Sequence, residues 1–293
     1  MRSRRLRQLC AYLFLAPYAL SFTCFVVLPF CVALVLAFLK VDLTSREPAS
    51  VVGLANFKEA LADPYFWKAA GATATFVVLA VPLTIVLAVL LSVGMHAMGT
   101  SKRRNTVRAM LFIPGMLNVA VAAILWQWFY NGEFGLFNYY IQSLGFDGIP
   151  WLSSRYLAMP SIVIMTAWWT VGGSAILLLA ALQQVPEELW ESAAIDGAGA
   201  WRRFWAISIP MIQPVLLFVL IMNTIGAFQV FGQPYLMTRG GPELMTRGVV
   251  QYIYETAFNN YRLGYGAAMS WLLFAAIAVF SLVQFRLMRR SPA

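Results

Sequence analysis

Polar and apolar positions fall into long blocks along this chain. Six apolar runs, at about 10–39, 69–98, 109–129, 159–182, 211–231 and 265–288, each reach the roughly 20 residues that a helix needs to cross hydrocarbon. Nothing alternates with period two over barrel-length segments, and inside lipid only helices and closed barrels satisfy every backbone group. The pattern predicts an all-α membrane protein, a bundle of six transmembrane helices. At 61% apolar and 11% charged over 293 residues, the composition excludes a soluble domain.

Charge orients the bundle. Arg2, Arg4, Arg5 and Arg7, then Lys102, Arg103, Arg104 and Arg108, then Arg202 and Arg203, then Arg286, Arg289 and Arg290 put thirteen basic residues on one side. The other side holds eight, Lys40, Arg46, Lys58, Lys68, Arg155, Arg239, Arg247 and Arg262, with eight of the twelve acidic residues among them. The positive-inside bias makes both termini cytoplasmic and turns the polar stretch 186–210 to the same side. The net charge of +9 then calls for membrane lipid rather than nucleic acid, because the excess lies against the anionic inner leaflet.

The arginine-rich start followed by an apolar run also has the layout of a signal peptide. The run is too long for that and lacks a clear cleavage site, so it predicts an uncleaved first span. Cys10, Cys24 and Cys31 lie in or beside this span, and an odd count there argues against a disulfide framework.

The stretch 186–210, PEELWESAAIDGAGAWRRFWAISIP, is a charged island between the fourth and fifth runs and predicts helix, turn, helix. Pro186 suits a first helical position, Glu187 and Glu188 complement the helix dipole, and Asp196-Gly197 offers a left-handed stop. The second short helix carries Trp201, Phe204 and Trp205 at helical spacing with Arg202 and Arg203 between them, an interfacial pattern. Glu191, Ala193, Asp196, Gly197, Ile207 and Pro210 stand at the spacing of E-A-A-x-x-x-G-x9-I-x-L-P, with Ser192 and Ile209 as small departures. This resembles the loop of the membrane subunits of binding-protein-dependent ABC importers. VGLANFKEALADPYFWKA, before the second run, is similar to sugar-type permeases. PYLMTRGGPELMTRGVVQYIYETAFNNYRLGYGAAMS, after the fifth, is similar to the maltose and glycerol-phosphate permeases, the carbohydrate-type branch.

Several positions inside the runs are polar. His96 sits at the end of the second, where a helix-end role is the simpler reading. In the third, Pro114 and Gly115 favour a bend, and Asn118 either pairs with a neighbouring helix or lines a path. Trp168, Trp169 and Thr170 in the fourth, with Asn223, Gln229 and Gln233 in and after the fifth, supply ring faces and amides that suit a polyhydroxylated solute. Gly172 and Gly173, and later Gly264 and Gly266, predict close helix packing.

No catalytic or metal-binding set is visible: the acidic residues lie between the runs, His96 is the only histidine, and no His or Cys cluster exists. None of the four lysines is preceded by glycine, so the chain has no phosphate-cradling loop and binds no cofactor of its own. An ion-coupled secondary transporter or a channel subunit remains the alternative from residues alone. The resemblance implies a type I importer permease, multi-pass in a bacterial or archaeal cell membrane. It implies a second permease subunit, expected to be a different chain, an ATPase dimer that binds ATP and Mg, and an extracytoplasmic solute-binding protein. It assigns ATPase coupling to the six motif residues and makes a sugar or oligosaccharide the expected cargo.

Overall fold

The computed structural model describes residues 2–42, 48–99 and 102–289, with side chains from 12 to 287. Arg46 and Arg290, used above for orientation, lie outside the described residues, as does the Cys10 side chain. Two units, each with its own packing, divide the chain: Met1–Asp63 with Ile253–Phe274, and Pro64–Tyr252 with Ala275–Ala293.

In the first unit α1 (Arg2–Phe22), a π-helical turn (Thr23–Val27) and α2 (Leu28–Ala37) run on as one helix. Most of its apolar stretch Tyr12–Ala37 is exposed; among the described residues its far end is covered, where Ala37 is buried and the Phe30 ring meets Trp271 at 4.6 Å. A two-residue hairpin, β1 (Leu39–Lys40) against β2 (Ser50–Val51), leads to α3 (Ala55–Ala62). The buried amide of Asn56 ties α3 to the end of α2 by donating to the carbonyls of Ala37 and Leu39, both at 2.9 Å. Asp63 closes α3, its amide donating to the Ala60 carbonyl at 3.3 Å, and its extended backbone before Pro64 is the break expected at this dipeptide.

The second unit is built on α8 (Ala158–Leu182), the helix around which α4 (Pro64–Ala97), α5 (Lys102–Met116) and α11 (Ile209–Phe228) pack. Its membrane-length window is 61% buried, against 33% for α4. The third apolar run is not one straight span. α5 and α6 (Val119–Phe129) meet at 100°, more than the bend that Pro114 and Gly115 suggested. Breaking a helix in lipid frees backbone groups, and both sides of the break are covered here. Asn118 caps α6 by accepting from the Ala120 amide at 2.9 Å, and the Trp169 indole donates to the Leu117 carbonyl at 3.1 Å. Asn118 is thus a helix cap, a role the sequence did not suggest.

Beyond α6, α7 (Leu136–Ser143) carries Asn138, which is 1% exposed and fully engaged: it donates to Gly132 and Ile149 carbonyls and accepts from the Ile149 amide and the Trp151 indole. The loop that sequence left without a role is therefore held by one amide. α9 (Glu187–Ile195), α10 (Ala200–Arg203), α12 (Gly232–Thr238), α13 (Val249–Tyr254) and α14 (Leu263–Arg289) complete the chain. Among the described residues, five helical runs are long and apolar enough to cross a membrane, and the bent pair makes a sixth when counted as one span.

Candidate functional site

The polar island forms a compact hairpin of helices. Pro186 occupies the cap position with ψ of 131°, so α9 begins at Glu187 and the proline stands one position earlier than the sequence suggested. The exit is closed by two hydrogen bonds: the Gly197 amide donates to the Ala194 carbonyl at 3.1 Å and the Ala198 amide to the Ala193 carbonyl at 2.9 Å. This is the Schellman arrangement, and it needs the left-handed φ of 76° that Gly197 adopts. The second helix is not separate. α10 passes through a π-helical turn (Phe204–Ser208) into α11, so Ala200–Phe228 is one helical run and the island is rigidly joined to a membrane span. Trp201, Phe204 and Trp205 pack their rings on one another at 5.1 to 6.0 Å.

α9 has no buried residue. It rests on Trp190, whose ring stacks on His96 at 5.7 Å, and turns Glu191, Asp196 and an 87% exposed Ile195 outward. Ala193, Ile207 and Pro210 are half-buried, and Ile207 lies against the core around Leu182 and Ile212. The motif residues thus fall into two groups: Glu191, Asp196 and Gly197 on the open side, and Ala193, Ile207 and Pro210 holding the hairpin to the bundle. The outward Ile195 and the seat formed by His96 and Trp190 went unread in the sequence; an isoleucine between Ala194 and Asp196, on a face with no other apolar partner, was the available signal.

At mid-bundle, α4, α8, α11 and the start of α12 enclose a cavity of about 320 Å³. Trp169, Thr170, Asn223 and Gln233 all line it, and with them Phe76, Thr84 and Thr166. No charged residue does. Asn223 donates to the Ser174 hydroxyl at 3.1 Å and to the Val219 carbonyl at 2.8 Å, which leaves its amide oxygen as an acceptor. The hydroxyls of Thr166 and Thr170 donate to carbonyls one turn back at 2.8 Å each and likewise keep acceptor lone pairs. Gln233 is 8% exposed, and none of the hydrogen bonds among the described residues engages its amide. Thr166, Thr170 and Ser174 repeat every four residues along α8, a hydroxyl stripe whose spacing is visible in the sequence.

Two residues expected on the path stand elsewhere. Trp168 packs at 5.5 Å against Trp126 in an aromatic cluster that includes Tyr130, Phe137 and Trp151. Gln229 is exposed at the C-cap of α11, one residue past Phe228, and does not line the cavity. Gln127, in contrast, fastens α12 to α6 by donating to the carbonyls of Leu236 and Met237 at 2.8 and 3.1 Å. Among the described residues, no group of three or more His, Cys, Asp and Glu side chains could hold a metal ion.

A broken span, a rigid loop hairpin and a membrane-depth cavity accompany a sequence match over residues 73–291 to the family described as the binding-protein-dependent transport system inner membrane component. The chain belongs to this family. The permease is 33% identical over 282 residues to the sulfoquinovosyl glycerol transport system permease protein SmoG of Agrobacterium fabrum, covering 96% of this chain and 91% of that one. It is 36% identical over 251 residues to the trehalose/maltose transport system permease protein MalF of Thermococcus litoralis, covering 85% and 83%. Its fold matches, with a TM-score of 0.88, 22% identity and 100% of both chains covered, the crystal structure of a bacterial ABC transporter involved in the import of the acidic polysaccharide alginate. The permease is a membrane-spanning, multi-pass transport component with the type I importer fold.

Proposed function

We propose that this permease passes a neutral sugar or oligosaccharide through the mid-bundle cavity, driven by ATP split in partner subunits. The observation that carries the reading is the cavity's chemistry. It offers the Trp169 ring, the unengaged amide of Gln233 and the free acceptor of Asn223, with no charge among its lining residues. A sugar presents an apolar ring face and hydroxyls that both donate and accept, and these are the groups available. An anionic cargo would require basic groups that the lining lacks. Both relatives are named for carbohydrates, and the trehalose/maltose permease for a neutral one; sulfoquinovosyl glycerol carries a sulfonate, so the neutral cargo rests on the cavity lining.

The chain has no phosphate-binding loop, so ATP and Mg belong to an ATPase dimer. The open face of α9, with Glu191 and Ile195 outward, is the surface for that dimer, and the continuous run Ala200–Phe228 links it to the wall of the cavity. Closure of the ATPase pair would move α9 and α11 together and switch the path between inward and outward access as a rigid-body step. A second permease, a different chain, completes the path, and an extracytoplasmic solute-binding protein delivers the cargo.

Gln233→Leu should lower uptake of trehalose or maltose by about fivefold, the loss of one neutral hydrogen bond, with the complex still assembled. Gln229→Leu should leave uptake unchanged. Equal uptake in both variants, measured with labelled sugar in proteoliposomes, would remove Gln233 from the site; a response to glycerol phosphate alone would overturn the neutral cargo.

The orientation is also a proposal: both termini and the 186–210 hairpin are cytoplasmic. In a cysteine-free background, Lys102→Cys is expected to react with a membrane-impermeant thiol reagent only from the cytoplasmic side, and Glu243→Cys only from outside. Both positions are exposed. The opposite labelling pattern would turn the hairpin away from any ATPase.

A further inference from the structure

A second cavity, of about 210 Å³, lies where the ends of α4 and α8 meet α9, α10 and the π-helical turn. Val93, Leu182 and Phe204 make much of its wall apolar, and His96, Trp190 and Arg203 supply the remaining side. The His96 and Trp190 rings are stacked, so they form one flat wall. Arg203 is the charge in this wall, and no carboxylate lines the cavity with it. Its side chain makes a single long contact, an Nη donating to the Trp190 carbonyl at 3.5 Å, and its Nε is buried with no acceptor. Glu187 lines a neighbouring cavity, as does Arg104.

A guanidinium carries five N–H donors and does not lose its charge, so a half-buried one with a single weak acceptor is short of an anion. A small free anion would satisfy Arg203 but leave the apolar wall unfilled. An amphiphile satisfies both. The exposed rings of Trp201 and Trp205 on the same helical run are of the kind that lie at headgroup depth, which places the cavity mouth beside lipid phosphates.

We propose that this cavity is a site for an anionic phospholipid, with the phosphate on Arg203 and the start of an acyl chain against Val93, Leu182 and Phe204. The bound lipid would brace α4, α8 and the hairpin at the point where α9 joins the membrane run. Its effect on coupling rests on the ATPase-docking reading above; its binding does not.

The test uses the assembled importer in nanodiscs of phosphatidylcholine with and without phosphatidylglycerol, read by native mass spectrometry for retained phosphatidylglycerol and by substrate-stimulated ATP hydrolysis. Arg203→Gln should weaken retention about five- to tenfold, as loss of one charge-assisted contact predicts, and Arg203→Lys should restore most of it. Ala97→Phe, which adds bulk at another lining position and keeps the Arg203 charge, should weaken retention similarly and serves if Arg203→Gln does not assemble. Undiminished retention in these variants overturns the site. Protection of the same contact by inorganic phosphate in pure phosphatidylcholine discs would assign it to a free anion and also overturn the lipid. Lower retention with unaltered hydrolysis would keep the site and count against the docking reading alone.

Discussion

A permease carrying Gly172→Ala is expected to lose most of its folded form, while Gly173→Ala, one residue on, is expected to behave as wild type. The two glycines look alike in the sequence and differ in what lies over them. A Cβ at Gly172 would overlap the Leu111 carbonyl of α5, and backbone on both helices blocks any rearrangement by side-chain rotation. At Gly173 nothing stands within 4 Å. Forcing α5 from α8 costs about 1–3 kcal/mol or more, a large part of the stability of a marginally stable fold. It also moves the Leu117 break, whose carbonyl depends on Trp169 of α8. Thermal midpoints and monodisperse yield of the solubilised protein decide this, and a midpoint equal to that of Gly173→Ala would show that α5 and α8 do not pack this closely.

Gly197→Val should leave the permease in the membrane and uncouple it. With φ of 76° at this position, a β-branched residue costs about 1–2 kcal/mol of backbone strain. No atom lies within 4 Å of where its Cβ would sit, so the strain is local and the bundle is spared. The consequence falls on the two Schellman bonds that set the angle between α9 and α10. ATPase copurification or sugar uptake per ATP hydrolysed should drop severalfold, and Gly197→Asn, which tolerates the left-handed region, should recover most of it. Normal coupling in Gly197→Val would argue that the hairpin angle carries no signal.

The helical class and the place of the 186–210 hairpin were legible in the sequence because both depend on local order: apolar runs of membrane length, and a stretch whose glycine and flanking residues create their own turn. The same locality explains why Asp63-Pro64 marked a helix boundary correctly. The cavity was legible only in part. Trp169, Thr170, Asn223 and Gln233 converge, but Trp168 and Gln229, of the same types and on the same spans, do not. Which face of a membrane helix turns inward has no strong signature when every face is apolar, and Gln229 falls at the exposed cap of α11 rather than on its inner face.

Nor could sequence separate Gly172 from Gly173, or foresee that Asn118 and Trp169 would cover the two sides of one broken helix. Apolar length and local turn chemistry alone determine that this protein spans the membrane as helices and carries the hairpin at 186–210. The bend at Leu117 and the partners of the buried amides were decided by tertiary packing. In lipid, each backbone group freed by a break must find a partner, and that partner can come from a helix fifty residues away.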